Sequence, residues 1–289
     1  MKAKRQILAS KISKKRSQLN EKQLTLEVSQ HFKQIEVEVQ KRLQEYGTSV
    51  PLLQGQVNII LSPVRESHPE YYEIIKRHVL EEFELGQQEG DRMVALNTPN
   101  VTERVINEIR RNNLFGTLRY SEDYLLQHRF EASASTLNRV DSSLNQIISD
   151  GYKSGKGINQ VANDITKRFN QLESWESRRI ARTEINTAHN MGTMNSYETL
   201  GVEYTQWISV DDGRTRGTNP NDTANHLILN GEIIRFGDTY SNGLQYPGDM
   251  SGPIEEWINC RCSNAPFVIP YGYVAPPFSP FHEEDLIKL

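Results

Sequence analysis

Cysteine is nearly absent from this chain. Two occur in 289 residues, and both sit in one Cys-x-Cys pair, Cys260 and Cys262. That excludes a disulfide framework and suits a reducing cytosol at the time of synthesis. Long apolar runs are missing too, so no segment is expected to span a bilayer. The charged N-terminus is not followed by an apolar signal core, so no export signal is expected. Hydrophobic residues make up 36 % of the chain and the mean hydropathy is −0.63, which leaves a lean core. No internal repeat is found, and no histidine–asparagine–histidine pattern. The first 46 residues contain neither proline nor glycine.

What is present is uneven in charge. The net charge of −4 conceals eleven Lys/Arg against five Asp/Glu over residues 1–50, and five against eleven over 204–289. A basic arm and an acidic tail on one chain suggest two different partners. In the arm, Lys2, Lys4, Arg5, Lys11, Lys14, Lys15, Arg16 and Lys22 face only Glu21. They are either a solvated helix surface or a contact for nucleic acid or an acidic protein.

The texture predicts an α+β chain: a mainly helical N-terminal region, then a small α+β domain with one long helix and a few short strands. A long amphipathic helix or a helix pair is expected over 4–46. Gly47, Pro51, Gly55 and Pro63 mark 47–67 as a connector holding at most one strand. Pro69 opens a helix that Gly86 stops, and Thr98-Pro99 opens another through Asn112. Ser121 caps a helix running to Asp150. After Gly151, Gly155 and Gly157 come a short helix, Ile158–Phe169, and a long one over 175–200, capped by Ser174 and closed by Gly201. Strands are expected at Tyr204–Val210, Glu232–Phe236 and Ala265–Ile269. The partition is a basic helical arm (1–46), a helical region (47–150), an α+β domain (151–270) and an extended, acidic, Pro-rich tail (271–289).

Side chains at i and i+2 of a strand leave the same face, so the two cysteines could supply half of a tetrahedral zinc site. The competing reading is a small buried hydrophobe used twice. A disulfide within so short a loop is disfavoured by geometry. One structural zinc is expected on Cys260 and Cys262, with His226 as third ligand and Asp211, Asp249 or His189 as fourth. His31, His68, His78, His128 and His282 lack metal-like spacing and read as surface residues. The polar set Arg182, Glu184, Asp211, Arg214, Arg216 and Asp249 reads as a clamp holding a lean domain together, because the arginine fork binds a carboxylate in two places. The same loop, with Asp211, Asp212, Arg214, Arg216, Asp222 and His226, admits a second reading as a metal-dependent nuclease site.

Arg178-Arg179-Ile180-Ala181-Arg182-Thr183-Glu184 is followed in order by Asn186, Ala188, Asn190, Gly201-Val202 and Trp207. Asp211–Arg216, His226, Gly231, Tyr246-Pro247-Gly248-Asp249 and Asn259-Cys260-Arg261-Cys262 complete the series. Over about residues 145–268 this resembles the phage Mu F-like family of minor head proteins, also called head-morphogenesis proteins. A stretch rich in Asn, Thr and Asp, Gly217–Asn225, separates Arg216 from His226, where other members bring the His or Cys closer. The resemblance implies a minor structural protein of a tailed-virus head, made in the host cytoplasm and placed in the capsid interior near the portal. It implies portal, capsid or scaffolding partners, and a role in head assembly or genome delivery rather than catalysis. It also favours double-stranded DNA, bound without sequence specificity, as a partner of the basic arm. The alternative is a nuclease or transferase delivered with the genome.

Overall fold

A computed structural model describes residues 2–47, 53–98, 101–112, 118–210 and 212–289, with the side chains of 2–14 and 103 left outside the description. Asp211, Pro51 and Pro99, and the side chains of Lys2, Lys4, Arg5, Lys11 and Lys14, therefore lie outside the described residues. The architecture is the expected α+β: helices first, short antiparallel strands at the C-terminal end. Two compact units are each assembled from separated stretches of chain. One comprises Glu21–His78 and Leu126–Ala181; the other comprises Met1–Asn20, Val79–Leu125 and Arg182–Leu289.

The first unit is helical. Helix α1 (Lys2–Tyr46) enters it with Leu24, Val28, Phe32, Ile35, Val39 and Leu43 buried at a helical spacing of three or four. The segment expected to be a connector is instead helix α2 (Gln54–Glu66). Val57, Ile60, Leu61 and Val64 recur at i, i+3, i+4 and i+7, and burying that stripe outweighs the breakers that frame it. Pro63 inside α2 has no N–H to give the carbonyl of Ile59, and the Arg42 guanidinium donates to that carbonyl at 3.2 Å instead. His31 and His78, expected at the surface, are buried here; His31 stacks on Tyr71 with ring centroids 5.6 Å apart.

Helix α5 (Glu122–Lys153) starts as expected, with Ser121 Oγ accepting from the Tyr124 N–H. Helix α6 (Ile158–Gln171) does not stop before α7 (Ser177–Leu200); a π-helical turn, Leu172–Glu176, joins them. Ser174 is thus no N-cap, and its hydroxyl donates back to the Gln171 carbonyl.

In the second unit Gly86 is likewise not a stop. Helix α3 (His68–Asn97) runs through it, and α4 (Glu103–Asn112) follows, with Thr102 accepting from the Val105 N–H. The glycines serve a close crossing of α3 and α7. A Cβ on Gly86 would fall 2.0 Å from the His189 carbonyl oxygen, and one on Gly192 would fall 2.0 Å from that of Phe83. Helix α7 ends as expected in a Schellman motif: Gly201 has φ +66, the Val202 N–H reaches the Tyr197 carbonyl at 3.0 Å, and that of Gly201 reaches Glu198 at 3.4 Å.

Beyond α7 lie β1 (Tyr204–Ile208), β2 (Ile233–Arg235), helix α8 (Ile254–Trp257) and β3 (Ser263–Phe267). The sheet order is β2-β1-β3, all antiparallel, with Thr205 opposite both Ile234 and Pro266. Pro266 is tolerated because β3 is an edge strand. The segment expected to be an extended tail turns back instead. Phe281 exchanges backbone hydrogen bonds with Ile233 and is buried, and β4 (Tyr273–Val274) pairs with β5 (Ile287–Lys288). A bare β2 edge would leave its N–H and C=O groups unpaired, and this return covers part of it.

Candidate functional site

Trp207 on β1 is fully buried and anchors a small core with Leu229, Ile234, Tyr240, Leu244, Cys260 and Cys262. Both sulfurs point into that core from the extended strap that leads into β3, while Arg261 between them turns to Asp212. His226 lies 30-odd residues upstream of them in sequence, yet its ring stands edge-on to Trp207 with centroids 5.3 Å apart. Its Nδ1 is 3.7 Å from Cys260 Sγ and 3.6 Å from Cys262 Sγ.

The Gly217–Asn225 stretch does not carry His226 away from Arg216. The His226 N–H donates to the Arg216 carbonyl at 2.9 Å, so the ends of the stretch meet and it closes as a loop. Its polar residues form the turns inside that loop. Asp222 Oδ2 accepts from the N–H groups of Gly217 and Asn219, and Asn225 Oδ1 accepts from Leu227 and Ile228.

The far side of the imidazole is also engaged. His226 Nε2 is 3.1 Å from Glu256 Oε2, and that oxygen accepts from Asn242 Nδ2 at 3.0 Å. A proton on Nε2, donated to Glu256, leaves the Nδ1 lone pair facing the sulfurs. The Cys262 thiol is drawn down by a hydrogen bond from Cys260, against the cost of burial; Cys260 is pushed up by the same bond and by burial. A cavity of about 20 Å³ opens beside the three groups, lined among others by Val210, Thr215 and Arg216.

Among the described residues the metal-capable group is limited to His226, Cys260 and Cys262. Two expected fourth ligands are elsewhere. Asp249 braces its own turn, accepting from the Gln245 and Ser251 N–H groups, and both ring nitrogens of His189 face carboxylates, Glu82 at 2.7 Å and Glu89 at 3.2 Å. Asp211, the remaining expected fourth ligand, is outside the described residues.

Of the residues expected to form a clamp, Arg182 and Arg216 reach the 258–262 strap. Arg182 donates to Asn259 Oδ1 at 3.1 Å, the Asn259 N–H donates to Thr183 Oγ1 at 2.9 Å, and Arg216 donates to the Ile258 carbonyl. Asn190 Nδ2 donates to the Cys262 carbonyl at 3.1 Å. Helix α7 therefore holds the strap 258–262 from one side, and the loop at Arg216 holds it from the other. Asn259 takes φ +55, a left-handed conformation that asparagine adopts more readily than most residues. Arg214 is exposed and pairs with Asp212 at 3.5 Å, while Glu184 is buried on α7. The Tyr246–Asp249 turn docks on the same helix: Gly248 has φ +91, and its carbonyl accepts from Thr187 Oγ1 at 3.0 Å.

Residues 142–265 match the family described as Phage Mu protein F like protein. The chain carries a Mu F-like domain. The match ends inside β3, so it takes in α6, α7, His226 and both cysteines, and it agrees with the resemblance read from the ordered motifs. The family points to a role in phage head morphogenesis. No curated protein and no solved structure matches the chain. Among the described residues no helix is long and apolar enough to cross a membrane.

Several groups of the Mu F-like domain's site carry no local signal in the sequence. Glu256 and Asn242 meet His226 only through the fold. Thr187 looks like an ordinary helix residue until the Tyr246–Asp249 turn is laid against α7, and Thr183 and Asn190, though part of the ordered motifs, show what they hold only once the strap is in place.

Proposed function

We propose that the chain is a minor structural protein of a tailed-virus head, acting by binding. Its partners are the portal, capsid or scaffolding proteins, with packaged double-stranded DNA as a further, sequence-independent contact of the basic arm. It is made in the host cytoplasm and takes its place in the capsid interior near the portal, serving head assembly or genome delivery. The observation that carries this reading is the Mu F-like match over 142–265.

The use made of the polar groups supports it. A nuclease would need carboxylates and a histidine presented to a substrate. Both oxygens of Asp212 are taken by Arg261, Asp222 holds loop backbone, and His226 is 1 % exposed. A cavity of about 20 Å³ admits a single small occupant and excludes a nucleotide. In the arm, Lys15, Arg16 and Lys22 are exposed, as a docking surface for phosphate or acidic side chains requires.

Two assays on the full chain separate binding from catalysis. Pull-down from infected cells is expected to recover portal or capsid protein, and incubation with DNA and Mg²⁺ or Mn²⁺ is expected to show no turnover. Metal-dependent cleavage abolished by His226→Ala would overturn the binding reading in favour of the enzyme.

A further inference from the structure

We infer that Cys260, Cys262 and His226 bind one zinc ion, through both sulfurs and through Nδ1 of the histidine, and that Glu256 is the carboxylate that orients the histidine for it.

Distance is the first argument. Zinc holds thiolate sulfur at about 2.3 Å and imidazole nitrogen at about 2.05 Å, so a tetrahedral angle between them places sulfur and nitrogen about 3.6 Å apart. The observed separations are 3.7 and 3.6 Å, and all three donor atoms lie within 4.8 Å of one another. Both sulfurs thus sit where ligands of a shared ion would sit, on the unprotonated side of the ring.

Charge is the second. Two thiolates and a neutral imidazole cancel the charge of Zn²⁺, so the filled site is neutral overall and suits a position where all three residues are buried. The cavity of about 20 Å³ beside them is large enough for an ion or a water and for nothing bigger. The three residues supply three of the four positions that a tetrahedral zinc takes.

The outer shell is the third. A metal-bound histidine commonly donates its other ring N–H to a carboxylate, which fixes the tautomer and raises the basicity of the ligand. Glu256 occupies that position at 3.1 Å, itself held by Asn242. The ion would join two segments: the closing end of the 216–226 loop and the strap 258–262 that leads into β3.

This inference does not depend on the head-protein reading, and its test needs no phage. Full-length chain purified without chelator is expected to carry about one zinc. Cys260→Ser and Cys262→Ser are expected to lose it, and a strong chelator is expected to lower the melting temperature of the unmodified chain. Because the serine variants risk misfolding, Glu256→Gln keeps the ligands and tests the orienting role. It is expected to fold and to bind zinc about 10- to 100-fold more weakly in competition with a chromogenic chelator. Cobalt in place of zinc should give thiolate-to-metal charge-transfer absorption in the unmodified chain, weaker per cobalt added in Glu256→Gln. Folded protein with reduced thiols that takes up neither zinc nor cobalt, and melts alike with and without chelator, would overturn the site. Unchanged zinc affinity in Glu256→Gln would overturn the role of Glu256.

Discussion

Arg261 and Asp212 meet as a fork, with Nη1 2.7 Å from Oδ2 and Nη2 2.6 Å from Oδ1. The residue between the two cysteines therefore ties their strap to the Asp212–Arg216 loop, while the cysteines turn toward His226. One tripeptide thus serves two sides of the strap.

The Arg261 fork holds the Asp212 carboxyl far below the usual carboxylate range, with the Arg214 N–H adding to it. A carboxyl lowered on folding contributes stability above its usual pKa of about 3.9 and loses that contribution as pH falls through the folded value. Thermal melts from pH 5 downward should show the unmodified chain losing stability below about pH 4. Arg261→Gln should start lower and lose less over that range. Parallel curves for the two proteins would remove the fork from the account.

His189 sits between two carboxylates, one of them fully buried, and Glu82 also accepts from Asn20 Nδ2 at 3.0 Å. Burial alone would lower its pKa, but the hydrogen bonds and charges of Glu82 and Glu89 outweigh this and raise it to about 10. The stability it supplies is fully present below its usual value of about 6.5 and is lost as pH rises toward 10. His189→Ala removes the cation between two carboxylates and should cost about 3–5 kcal/mol by urea unfolding at neutral pH. The unmodified chain should weaken from pH 7 to 10 more than the variant does.

The crossing of α3 and α7 predicts opposite outcomes for one substitution at two glycines. Gly192→Ala forces a methyl onto the Phe83 carbonyl and should destabilise by about 1–3 kcal/mol or more. Gly55→Ala in α2 meets nothing within 4 Å and should be stabilising, by roughly 0.4–1 kcal/mol. Equal effects in the same denaturation assay would contradict the close crossing.

If residues 1–22 contact duplex DNA through phosphate, log affinity should fall with log salt at about −0.9 per contact. Deleting the segment should flatten the slope. A slope unchanged by the deletion would place DNA contact elsewhere on the chain.

Much of the fold was legible because it rests on local rules. Proline-free and glycine-free sequence over 4–46, which allowed one helix or a pair, forms one helix, Ser121 and Gly201 cap as their types suggest, and the three strands overlap the short β-like runs. Errors came where a residue type has two uses. Gly86 reads as a stop but serves a helix crossing that only the partner helix reveals. Gly55 and Pro63 read as breakers, yet the stripe Val57–Val64 carries the helix through them. Ser174 reads as a cap but lies in a π turn. At the site, the cysteine pair announced itself by scarcity, and His226 followed from the ordered motifs. Glu256 could not be found from sequence, since nothing near Glu255-Glu256-Trp257 says which histidine it will meet.

The head-protein reading is tested most directly by the composition of purified particles. Procapsids and mature heads from gradients, analysed by quantitative mass spectrometry, should contain this chain at a low, fixed ratio to the portal protein. Its absence from both kinds of particle would contradict the account.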